Sequence, residues 1–155
     1  MKDIFIDNNV AKNFANPLDP EYKKLVSWLM HFDEVRKSDN AHLVISKKII
    51  AEYHRTCGSS MSDNSIIAII DMCTRQGRLN RVTNDQIKDF RANYFTKKVC
   101  RRLKSNWQDH DHIPVVMLSR RKYAISIDEG FVQDVNNFPG FKAIAVKKPQ
   151  DVSYE

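Results

Sequence analysis

The chain has 155 residues, 42 % hydrophobic and 28 % charged, with a formal net charge of +6 and a pI near 9.3. That length lets one domain bury a core without disulfides or a structural metal, and the low Gly and Pro content excludes a disordered or fibrous chain. No apolar run approaches the ~20 residues that a bilayer span needs, and MKDIFIDNN is too short in apolar residues for a secretory signal.

In chain order, DIFID is predicted as a short buried strand, followed by helix-like segments from about Asn9 to Phe14 and from Asp19 to Phe32. In the second, Leu25, Trp28, Leu29 and Phe32 recur at helical spacing, and Asp19-Pro20 is a good helix start. Arg36 to Asn40 is a polar loop, HLVIS a second strand, and Ser46 the N-cap of KKIIAEYHRTC, which Gly58 ends. After the loop SSMSDN, an apolar helix spans about Asn64 to Gln76 and stops at Gly77. A long basic amphipathic helix is predicted from about Asn84 to Lys104. A helix from Asp111, the strand YAISID, a short helix near Phe131 to Val135 and the strand FKAIAV complete the order. Residues 1–148 read as one domain, with a frayed tail after Pro149. Strands alternating with helices imply a mainly parallel sheet flanked by helices, a three-layer α/β sandwich.

Four carboxylates stand at the edges of the apolar segments: Asp7 and Asp128 end strands, Glu52 lies in the second-strand helix, and Asp111 opens a helix. In a parallel sheet, strand carboxyl ends and adjacent helix starts converge on one crevice. Four acids gathered there repel one another unless a divalent cation neutralises them, and oxygen ligands suit Mg2+ or Mn2+. Each acid also has a plainer reading. Asp7 would cap the next helix, Glu52 would pair with Lys48 or Arg55, and Asp134 is a surface helix residue. Asp109 competes with Asp111. Proline is tolerated in the first helical turn, so Pro114 favours Asp111 as N-cap, with Asp109 in the preceding loop as a second or substitute ligand. His110 and His112 are further potential metal ligands, and Ser126 and Glu129 flank Asp128.

In order along the chain, FIDNNV resembles the opening element of PIN domains, and LVISKKIIAEY is similar to their second strand and helix with its embedded Glu. DHIPVVMLSRRKYAISIDEGF resembles their third element, an Asp-started helix followed by a strand ending in Ser-x-Asp. The resemblance runs from Lys2 to about Val146 and implies a parallel sheet flanked by helices. It also implies RNA cleavage with magnesium or manganese held by Asp7, Glu52, Asp111 and Asp128; Asn9, Ser126 and Glu129 stand beside these acids as supporting residues. Many small bacterial members are toxins of type II toxin–antitoxin modules, often dimeric, so an antitoxin partner and a homodimer are implied too. Two departures stand out. Val115 to Leu118 replace the usual small residues, and the interval from Asp111 to Asp128 is short, which keeps Asp109 in contention.

The bases Lys88, Arg91, Lys97, Lys98, Arg101, Arg102 and Lys104 face only Asp85 and Asp89 over their stretch, and Arg120, Arg121 and Lys122 form a second cluster. Lys97, Lys98, Arg101, Arg102, Arg120 and Arg121 are therefore expected to contact the RNA backbone. Cys57, Cys73 and Cys100 are odd in number and widely spaced, and read as reduced core thiols of a cytoplasmic protein. Three other readings compete with the metal-dependent endoribonuclease: a non-catalytic nucleic-acid-binding module of the same fold, a phosphoryl-transfer enzyme with Asp7 as nucleophile, and a structural partner protein.

Overall fold

The computed structural model describes all residues from Met1 to Glu155. Five strands form one parallel sheet: β1 (Lys2–Ile6), β2 (Ala41–Ile45), β3 (Leu79–Arg81), β4 (Tyr123–Ile125) and β5 (Ile144–Val146), in spatial order β3-β2-β1-β4-β5. Lys2 pairs with Ala41, Ile6 with Ile125, and Ile125 in turn with Val146. The helices are α1 (Asn8–Ala11), α2 (Pro20–Met30), α3 (Lys47–Cys57), α4 (Ile66–Arg75), α5 (Asn84–Tyr94), α6 (Lys97–Arg102), α7 (His112–Leu118) and α8 (Glu129–Asn136). The expected α/β architecture, a parallel sheet flanked by helices, is the observed one.

Alternation of side chains across β1 sorts the layers. The Phe5 ring meets His112 of α7 and Phe131 of α8, so Ile4 and Ile6 turn to the other face. There α2 and α4 pack on β2, and α3 lies against α1 and α4. A single cluster of 36 buried apolar residues joins both faces. No helix is long and apolar enough to cross a membrane.

Local chemistry explains the predicted helix ends. Asp19 accepts the Glu21 N–H, Ser46 accepts the Ile49 N–H, and Gly77 leaves α4 at φ +68°, a conformation that favours glycine. Pro114 falls at the third helical position of α7 as its missing N–H requires.

Four expectations need correction. β3 was not foreseen: a three-residue edge strand with one apolar residue, Leu79, carries almost no periodic signal. The long basic helix is two helices. Phe95 leaves the helical conformation to pack its ring between Phe90 and Phe138, and Thr96 starts α6 by accepting the Val99 N–H. The tail expected to fray is docked: Val152 is buried, the Ser153 N–H donates to the Tyr123 hydroxyl, and Tyr154 meets Trp28 edge-on at 5.2 Å. Cys57 and Cys73 are buried, but Cys100 is exposed.

Candidate metal centre at the carboxyl ends of β1 and β4

The chain builds outward from β1 in both directions, so β1 and β4 diverge into their following loops at the topological switch point, where such sheets form a crevice. Asp7 leaves β1 there, its N–H still bonded to the Ile125 carbonyl at 3.0 Å. One carboxylate oxygen accepts the Asn8 N–H at 2.8 Å, and the other accepts the Ser126 hydroxyl at 2.6 Å. The Ser126 oxygen receives Asn9 Nδ2 at 3.3 Å and the Asp128 N–H at 3.1 Å. With its one proton and both lone pairs engaged, the Ser126 hydroxyl is fixed in orientation, and so is the Asp7 carboxylate it holds. Asn9 completes the tie by accepting the Ile127 N–H. Asp128 caps α8 through Phe131 N–H at 3.1 Å.

Glu52 reaches the same crevice from α3. Its partner is His112, whose Nε2 lies 2.6 Å from Glu52 Oε2, and neither Lys48 nor Arg55 takes that place. His112 is buried against Phe5, and its Nδ1 has no hydrogen-bond partner. Nearby, the buried Tyr53 hydroxyl donates to the Ile6 carbonyl. One ligand atom each from Asp7, Glu52 and His112 lies within 4.8 Å of the others. Asp109 and Asp128 line the same crevice, a cavity of about 290 Å³ with Lys12 as its sole basic lining residue and no apolar one.

Asp109 and Asp111, two residues apart, face different surroundings. Asp109 ends a short 3-10 turn, Trp107–Asp109, and joins the acids. Asp111 has helical backbone angles and makes no cap bond. It lines a neighbouring groove instead, where Arg91 Nη1 lies 2.5 Å from it and Lys48 Nζ 4.0 Å. Lys48 also donates to the Gln108 carbonyl, clamping the turn that carries Asp109.

Asp134, expected on the surface, is buried and positions this segment. It accepts the Lys104 and Ser105 N–H groups, each at 2.8 Å, and the Ser105 hydroxyl at 2.6 Å. A Cβ on Gly130 would approach the Lys104 carbonyl oxygen to 2.9 Å, so glycine there lets α8 close on the same segment. Sequence pattern missed Asp134 because its partners, two backbone N–H groups and a hydroxyl, lie about thirty residues away.

Burial dominates the electrostatics. Desolvation pushes the Asp7 carboxyl up; the bonds from Ser126 and Asn8 and the nearby His112 oppose it, and Asp109 adds to it. Burial likewise raises Asp109, opposed by His112 and Lys48 and reinforced by Asp128 and Glu52.

No known family model matches the chain, and no curated protein does. Among solved structures the fold is similar to a chain in the crystal structure of VapBC2 from Rickettsia felis bound to a DNA fragment from their promoter. The TM-score is 0.56 and the identity 13 %, over 94 % of this chain and 98 % of that one. The likeness is one of fold.

The remaining predicted residues lie elsewhere. Glu129 is exposed and 3.6 Å from Lys147. Helix α6, with Lys97, Lys98, Arg101 and Arg102, sits beside the 137–139 turn, and none of the four lines the acidic crevice. Arg120 and Arg121 lie at the amino ends of the strands, where their N–H groups donate to Asp3 at 3.0 and 2.9 Å. The Arg121 guanidinium is further tied down by the Tyr123 ring and the Ser153 carbonyl.

Proposed function

We propose that the chain is a metal-dependent ribonuclease of PIN type, with Mg2+ or Mn2+ held by Asp7, Glu52, Asp109 and Asp128. The observation carrying this reading is the convergence of Asp7, Glu52 and His112 in a crevice that adds Asp109 and Asp128 and has a single lysine. The donor set fits a hard cation: it is almost wholly oxygen, and Asp7 and Asp109 are both raised by burial that an ion would relieve.

A divalent ion bound there supplies charge neutralisation at a phosphodiester and activation of water. The protein's own part is orientation. Ser126 and Asn9 hold Asp7, and His112 holds Glu52. Lys48 holds the turn bearing Asp109, and Asp134 fastens Lys104 and Ser105 just before it. No side-chain nucleophile is required. Asp109 takes the third-acid role because Asp111 is engaged by Arg91 outside the crevice. The resemblance to PIN toxins and the fold shared with a chain of a complex on its own promoter DNA support the further reading of a toxin with an antitoxin partner.

The test is cleavage of a mixed single-stranded RNA pool with manganese, magnesium or EDTA, wild type beside Asp7→Asn. Metal-dependent cleavage lost in the variant is expected. Salt-sensitive binding indifferent to EDTA, with no cleavage, would instead identify a non-catalytic binding module.

A further inference from the structure

A second cavity, about 620 Å³ in volume, adjoins the acidic crevice along α3. Lys47 and Lys48 from the first turn of α3 meet Lys88 and Arg91 from α5, and Asp111 is the only carboxylate lining it. The two cavities share a wall. On α3, Lys48 faces this groove and Glu52, one turn later, faces the crevice. Across from α3 the segment 107–111 is also shared, since Asp109 turns to the acids and Asp111 to the cations. That segment carries Trp107, which is 77 % exposed, although tryptophan is rarely left so open.

We propose that this groove is the backbone track for a single-stranded polynucleotide whose scissile phosphate lies in the acidic crevice, with Trp107 as a base-stacking surface. The place given to the scissile phosphate rests on the nuclease reading for the crevice; binding along the groove does not. Four cations against one carboxylate suit phosphates, and Lys47 and Lys48 come from the first turn of α3, the positive end of its dipole. The lining has just two apolar residues, Ala51 and Ile87, too few for the apolar anchors on which protein partners depend. In the free protein Asp111 stands where a phosphate would, bonded to Arg91 and near Lys48. An exposed aromatic on the segment that brings Asp111 into a cationic groove favours unpaired bases, whose faces are open for stacking.

Binding is measured in the Asp7→Asn background with EDTA, using an end-labelled single-stranded oligoribonucleotide of mixed sequence over a range of salt. The pair Lys88→Gln and Arg91→Gln should weaken binding about tenfold or more at low salt and flatten the log K against log salt slope by about 1.4, the value for two lost cations on a single strand. The pair Lys37→Gln and Lys142→Gln removes the same charge from exposed positions outside the groove and should do neither. Asp111→Asn should tighten binding severalfold; it removes no cap bond, and circular dichroism verifies folding. Trp107→Ala should weaken single-strand binding about fivefold or more. Equal losses in the groove and control pairs, weaker binding in Asp111→Asn, or duplex RNA bound as well as single strands would each overturn the proposal. Groove-dependent binding in a protein that never cleaves would refute the nuclease reading and leave the groove standing.

Discussion

Two buried aspartates bracket β1, and their surroundings could hardly differ more. Asp3, at the amino end, accepts two backbone N–H groups, from Arg120 and Arg121, which fasten the turn entering β4. Asp7, at the carboxyl end, accepts one backbone N–H and one hydroxyl, sits beside other acids, and is raised by burial. Asp134 belongs with Asp3, being buried and saturated with donors from the backbone it holds. A carboxylate whose lone pairs are filled by N–H groups is a fastener. One that is desolvated, fixed in direction and left near like charges is prepared for a cation.

The sharpest way to break this division is to exchange the roles by mutation. Asp7→Asn should lower metal-dependent RNA cleavage by about 10³-fold, roughly the scale of removing one preorganised charge-stabilising group, while circular dichroism stays native. Asp3→Ala and Asp134→Ala should do the reverse, costing stability of roughly 1–3 kcal/mol each in urea unfolding, because each removes a buried carboxylate that accepts two backbone N–H groups. A native-like midpoint in either variant would remove it from the fasteners.

Metal affinity separates Asp109 from Asp111. Isothermal titration with Mn2+ should give a Kd about ten- to a hundredfold weaker in Asp109→Asn, while Asp111→Asn keeps wild-type affinity; the opposite order would restore Asp111 as the third acid. Acidity offers a subtler test. Because Asp7 and Asp109 hold protons more tightly than ordinary carboxylates, Mn2+ affinity should fall on acidification before the usual aspartate value of about 3.9 is reached.

The smallest expected effect is thermal. A carboxyl raised in the folded state contributes stability below its unfolded pKa and loses it as pH rises through the folded one. Once pH exceeds that folded pKa, the Asp7 charge destabilises the metal-free protein. Asp7→Asn should melt a few degrees higher without metal, and saturating Mn2+ should raise the melting point of wild type far more than that of the variant.

Much of the fold was legible because its signals are local. The strands β1, β2, β4 and β5 are short apolar runs, and Asp19, Ser46 and Gly77 mark helix ends through bonds or backbone angles within a few residues. What escaped notice depended on distant partners. Phe95 breaks the basic helix to join Phe138, and the tail docks because Tyr123 and Trp28 receive it. Arg78, buried and bonded to the Leu29 and Ala41 carbonyls, likewise has no local signature.

The same boundary runs through the site. Sequence by itself determined that acids close the apolar segments and that a parallel sheet would draw strand-end acids such as Asp7 and Asp128 together, since side-chain period and the alternation of strands with helices follow from local pattern. Tertiary structure alone decided which of Asp109 and Asp111 faces the crevice, that His112 holds Glu52, and that Lys47, Lys48, Lys88 and Arg91 converge while Arg120 and Arg121 lie at the opposite end of the sheet. The physical reason is that a charged side chain takes its direction from the nearest buried partner, and that partner is chosen by packing between segments far apart in the chain.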